Sequence, residues 1–142
     1  MIAIASDHTG LKIKTEVIEY LTGKGYELKD YGTYTEESCD YPRFGTLAAR
    51  AVADGECEKG IVICGTGIGI SIAANKIPGI RCALCTEPYS AMLSRRHNDS
   101  NMLSVGARIT GIELIKAICD TWLTTEFDGG RHSKRVAMLN EA

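Results

Sequence analysis

Cys64-Gly65-Thr66-Gly67-Ile68-Gly69 sets a thiol, a hydroxyl and three alternating glycines side by side. Glycines so spaced let backbone N–H groups turn toward one point, and a helix starting there adds partial positive charge. The result is an anion cradle, open to a phosphate, a dinucleotide pyrophosphate or a transient oxyanion. Glycines alone also fit a plain strand-to-helix turn. The thiol sets this loop apart, because a cysteine just before a helix start is favoured as thiolate. The dinucleotide fingerprint G-x-G-x-x-G is incomplete, since Ile70 stands at its third glycine. Glu87 nevertheless lies about 20 residues on, where a ribose-binding acid would sit. The Lys-Ser/Thr pair of a nucleotide P-loop is missing.

Two further groups of residues bear chemistry. Asp7-His8 pairs a carboxylate with an imidazole, and His97 sits in Arg95-Arg96-His97-Asn98-Asp99. His97 reads equally as a cation at a helix C-terminus. Gly129-Gly130-Arg131-His132-Ser133-Lys134-Arg135 is basic. Arg131 and Arg135 are one helical turn apart, and an anion between them would offset the dipole they oppose. An exposed, solubilising face is the simpler reading, with His132 a solvated neighbour of the arginines. No carboxylate–histidine cluster has evident metal spacing, and no Ser-His-Asp pattern is present. A thiol base, an oxyanion cradle, an acid/base histidine and phosphate-binding arginines suit proton transfer beside the carbonyl of a phosphorylated sugar. A base would take a proton from carbon, and the N–H groups would hold the enediolate.

These residues need elements to position them. Strands are predicted at Ile2–Ala5, Tyr26–Lys29, Gly60–Cys64, Arg81–Cys85 and Met102–Val105. Helices are predicted at Leu11–Leu21, from Pro42 to Val52, at Ile68–Lys76, Pro88–His97, Thr110–Phe127 and Arg131–Leu139. Asp30 to Tyr41 reads as a loop. Gly60–Cys64 is apolar on both faces, as a buried parallel strand requires. Strand and helix in alternation specify a parallel sheet with helices on both sides. Ligands of such sheets bind beyond the carboxyl ends of the strands, where strand order switches. If that switch falls between the first and third strands, Asp7-His8 and Cys64–Gly69 share a crevice.

The 142 residues form one expected domain, residues 1–142. Hydrophobic residues at 44% and charged residues at 24% exclude disordered and collagen-like chains. A net charge of −2 offers no basic excess for nucleic acid. No apolar run approaches a membrane span, and Met1–Ala5 runs into a charged turn with no basic leader before it. A cytoplasmic protein with reduced thiols is expected. Cys82 and Cys85 make C-x-x-C, but three strand positions apart they face opposite sides and cannot share a metal or disulfide. Both read as core, as does Cys119. Cys39 and Cys57 show no partner.

Six motifs, in order along nearly the whole chain, resemble type B ribose-5-phosphate isomerases, a family that includes galactose-6-phosphate isomerase subunits. They are Asp7-His8-x-Gly10, Asp40-Tyr41-Pro42, Ile63–Ser71, Ala73-Ala74-Asn75-Lys76, Ser94-Arg95-x-His97-Asn98-Asp99 and Gly129-Gly130-Arg131-His132-x-x-Arg135. The resemblance implies a Rossmann-like α/β/α sandwich on a five-stranded parallel sheet. It implies a homodimer or dimer of dimers with shared active sites. It implies interconversion of ribose 5-phosphate and ribulose 5-phosphate without metal or cofactor. By the same likeness, Cys64 moves the proton between C1 and C2 and Thr66 handles protons between O1 and O2. Gly65, Gly67, Ile68 and Gly69 bind the enediolate. His97 opens the furanose ring with help from Asp7. Arg131 and Arg135, with His8 and Arg108, hold the phosphate, and Tyr41 and Asn98 line the sugar. One branch of the family uses a glutamate just past the glycine loop. Ile70 stands there, so this chain resembles the cysteine branch. The sequence leaves a 6-phosphate hexose such as allose 6-phosphate open as substrate.

Overall fold

The computed structural model describes residues 1–142. Five strands, β1 (Ile2–Ser6), β2 (Leu28–Asp30), β3 (Lys59–Cys64), β4 (Cys82–Leu84) and β5 (Met102–Gly106), form one sheet in the order β2-β1-β3-β5-β4. Every pairing is parallel. Between and after the strands run α1 (Leu11–Gly23), α2 (Tyr41–Ala53), α3 (Ile68–Asn75), α4 (Pro88–Asn98), α5 (Ile112–Thr124) and α6 (Arg131–Glu141). This is the expected Rossmann-like α/β architecture. Strand order does switch at β1 and β3, which puts a crevice beyond their carboxyl ends.

Side-chain alternation divides the core in two. Ile2, Ile4, Ile61, Ile63, Leu103 and Val105 point to one face, where Val17 and Leu21 of α1 and Ile115, Ile118 and Trp122 of α5 cover them. Ala3, Ala5, Val62 and Cys64 point to the other, beneath Phe44, Ala48 and Val52 of α2 and Ile70 and Ala74 of α3. The alanines of β1 leave room for α2 to lie close. The cysteines divide as their spacing predicts: Cys85 packs in the first layer and Cys82 against the second. Burial pushes the Cys85 thiol up to about 11 and that of Cys119 up to about 12, so both stay protonated at neutral pH.

The expected helix over Thr110–Phe127 is shorter, running only from Ile112 to Thr124. Gly111 is its extended N-cap, and the backbone is extended again at Thr125. Elsewhere the elements differ from expectation by one or two residues at an end, the fraying range of helices and edge strands.

Lys14 lies on the apolar stripe of α1 and is only 1% exposed. Its ammonium donates to Asp30 Oδ1 at 2.7 Å and to the Thr33 carbonyl at 2.5 Å. Asp30 Oδ1 also accepts from the Gly32 N–H at 2.9 Å. A buried ammonium without its carboxylate is costly, so Asp30→Ala should lower the unfolding free energy by about 3 kcal/mol. Urea denaturation measures this, and an unchanged midpoint would show that the Thr33 carbonyl alone satisfies the lysine.

Candidate active site

At the end of β3 the chain enters the glycine loop, and Cys64, only 5% exposed, closes the strand at its mouth. The Gly67 N–H donates to Cys64 Sγ at 3.2 Å, which orients the sulfur. Gly67 has φ +77°, the left-handed region that favours glycine, and a Cβ there would lie 2.7 Å from Leu84 Cδ1. The hydroxyl of Thr66 accepts from the Ile68 N–H at 3.2 Å. The N–H groups of Thr66, Gly69 and Ile70 have no acceptor in the protein. They stand in the loop and the first turn of α3, where the helix dipole is positive, and so make the cradle the glycines predict.

Neighbouring strand ends hold this loop in place. Ala107 N–H donates to the Cys64 carbonyl at 2.8 Å, and Arg108 N–H to the Gly65 carbonyl at 2.9 Å. The Ser104 hydroxyl of β5 donates to the Gly67 carbonyl at 2.7 Å. After β1, the Asp7 N–H reaches the Ile63 carbonyl at 3.2 Å. One oxygen of Asp7, Oδ1, accepts from the Thr9 hydroxyl at 2.6 Å, the Thr9 N–H at 3.0 Å and the Gly10 N–H at 3.2 Å.

The crevice these residues line measures about 490 Å³ and is walled by Asp7, Thr9, Tyr41, Cys64 to Thr66, Ile68, Gly69, Ile72 and Arg108. Tyr41 leans on Gly69 so closely that a Cβ there would lie 2.5 Å from the ring. His8 is not part of this wall. Its Nδ1 accepts from the Cys39 N–H at 3.2 Å, which gives the apparently partnerless Cys39 a partner.

His97, Asn98, Arg131 and Arg135 are gathered apart from the crevice, where α4 meets α6. His97 and His132 stack with ring centroids 4.3 Å apart, so His132 is half-buried against an aromatic partner and not simply solvated. Their ligating nitrogens and a carboxylate oxygen of Asp128 lie within 4.8 Å of one another. Asp128 and His132 are distant from His97 along the chain, so no local spacing in the sequence signals this cluster. Arg135 Nη1 donates to the Arg131 carbonyl at 3.1 Å, as residues one turn apart can. Asp99, in the left-handed region at φ +45°, caps α4. Glu87 caps the other end of α4, both its oxygens accepting from the Ser90 N–H. That use accounts for its position without a ribose.

A Rossmann-like fold with a thiol and an anion cradle at its switch point defines a class of α/β protein built to act on small anionic substrates. The family model described as Ribose/Galactose Isomerase matches residues 2–139, and the chain belongs to this family. Ribose-5-phosphate isomerase B of Escherichia coli is 53% identical over 138 residues, covering 97% of this chain and 93% of that one. The structure of ribose-5-phosphate isomerase B from Clostridium thermocellum superposes with TM-score 0.97 at 56% identity, covering 99% of this chain and 95% of that one. That of a ribose 5-phosphate isomerase from Thermotoga maritima also gives TM-score 0.97, at 49% identity, covering 99% and 97%. No helix is long and apolar enough to cross a membrane.

Proposed function

We propose that this chain is an aldose–ketose isomerase that interconverts ribose 5-phosphate and ribulose 5-phosphate in the cytoplasm, with residues 1–142 forming one domain. The observation that carries the reading is Cys64 Sγ, held by the Gly67 N–H beside backbone donors that have no protein acceptor. High identity to ribose-5-phosphate isomerases of two bacteria supports the choice of substrate.

In this reading His97, with Asp7, moves the protons that open the furanose ring. The Cys64 thiolate then takes the proton from C2 of the open-chain aldose. The C–H electron pair becomes the C1–C2 double bond, and the carbonyl pair moves to O1. The N–H groups of the Gly65–Gly69 loop that have no protein acceptor, those of Thr66 and Gly69, with that of Ile70 beside them, hold the developing charge. Thr66 carries a proton from O2 to O1, and Cys64 returns its proton to C1, leaving the ketone at C2. Arg131 and Arg135, with His8 and Arg108, hold the phosphate, while Tyr41 and Asn98 line the sugar.

The site is completed across a homodimer in this proposal. The Cys64 crevice is lined by neither His97 nor the two arginines. At its rim Ile68 and Ile72, successive turns of α3, are 52% and 55% exposed. An apolar face beside an incomplete site fits a second copy of the chain that brings His97, Arg131 and Arg135 to it.

Proton NMR of ribose 5-phosphate in deuterated buffer tests the reaction. Ribulose 5-phosphate should form with deuterium at the transferred carbon position, as an enediol exchanging with solvent requires. No conversion of ribose 5-phosphate, with turnover of a 6-phosphate hexose, would reassign the substrate. Gly69→Ala should push the Tyr41 ring aside and raise KM about tenfold with a smaller change in kcat, as loss of a ground-state contact does. Unchanged steady-state kinetics would mean that Tyr41 does not touch the sugar.

A further inference from the structure

The His97–Asp128–His132 cluster has a capacity that sugar isomerisation does not use. We propose that these three side chains form a binding site for a divalent transition-metal ion, Zn²⁺ foremost, and that the bound ion inhibits the enzyme by occupying His97.

The chain's own construction brings the three groups together. Asp128 is tied twice to the residue before His97: its N–H donates to the Arg96 carbonyl at 3.0 Å, and both its carboxylate oxygens accept from Arg96 Nε at 3.2 Å. Gly129 and Gly130, with φ +67° and +56°, then turn the chain into α6. The His132 N–H closes that turn on the Gly129 carbonyl at 3.1 Å. His132 is thereby set on His97, with the rings 11° from parallel.

Two imidazoles and a carboxylate are a common zinc donor set, with the fourth position left to water. Zinc–ligand bonds of about 2.0–2.2 Å require donors roughly 3.3 Å apart at tetrahedral angles. The three donor atoms already lie within 4.8 Å of one another and must draw closer to share an ion. The rings must swing out of their parallel stack to aim their lone pairs at one point, and neither is fully buried. Arg96 steadies Asp128 from outside, as outer partners steady metal ligands. The flanking arginines weaken the site for every cation. Magnesium and calcium, which need several oxygen ligands, are excluded, whereas imidazole nitrogen suits zinc, cobalt and nickel.

Inhibition rests on the ring-opening role proposed for His97, but binding does not. Zinc calorimetry on the metal-stripped protein should give one ion per chain. His132→Gln and Asp128→Asn should each weaken binding at least about tenfold, while Cys64→Ser should bind as wild type does. Wild-type affinity in either of the first two variants overturns the site, as does loss of binding in Cys64→Ser, which would assign the metal to thiolate. Zinc should also slow turnover of ribose 5-phosphate in the wild type in step with occupancy. Occupancy without inhibition would uphold the metal site and remove His97 from ring opening, so the two claims fail separately.

Discussion

Cys64→Ala should abolish isomerisation, lowering kcat by about 10⁴-fold, the upper range for loss of a positioned acid–base group. The fold should survive, since the substitution removes a single sulfur atom at the crevice end of the second core layer. Ribose 5-phosphate should still bind, because the phosphate contacts assigned to the arginines do not involve sulfur. Isothermal titration on the variant, together with the NMR assay, separates the two effects. A rate within tenfold of wild type would give the proton transfer to another group. Equal loss of binding and turnover would make Cys64 a structural residue.

The second large effect concerns the division of the site. Cys64→Ala and His97→Asn homodimers should each be nearly inactive. Mixed by reversible unfolding, the two chains should recover about one quarter of wild-type activity. Half of the dimers are then mixed, and each of these holds one intact site of two, as two-fold symmetry dictates. Activity no greater than the sum of the separate variants would place Cys64 and His97 of one chain in the same site. That result would leave the separation of the two clusters in the fold without a functional reason. Sedimentation of the mixture should show a dimer or a dimer of dimers, and a monomer would overturn the shared-site arrangement.

Much of the fold was legible because its signals are local. Gly60–Cys64 could only be a buried central strand, and the alternating glycines after it marked the switch-point loop. The edge strands β2 and β4 are three residues each, and so were placed only roughly. The α5 boundaries are not legible in hydropathy, because apolar residues continue past Gly111 and Thr125, where backbone geometry ends the helix. Site residues followed the same rule. Asp7, Cys64, Thr66 and Arg108 end strands or follow them directly, so parallel topology collects them. His8 follows a strand too, yet its ring turns to the Cys39 N–H, a contact across a loop that no spacing reports. His132 on His97 and Asp128 on Arg96 depend on how α6 lies against α4, which sequence periodicity does not encode.

The bonds that fasten the glycine loop to its neighbours bear on entropy. The carbonyls of Cys64, Gly65 and Gly67 are all taken by donors from β5 and the turn after it. The loop is therefore ordered when the sheet forms, and a substrate meets dipoles that have little freedom left to lose. Such preorganisation favours the transition state more than the bound sugar. Ser104 lies behind the loop and is fully buried, so it can touch no sugar. Its hydroxyl still fixes the loop on which turnover depends. In this protein the speed of the chemistry is written partly into the sheet, at a distance from any atom that reacts.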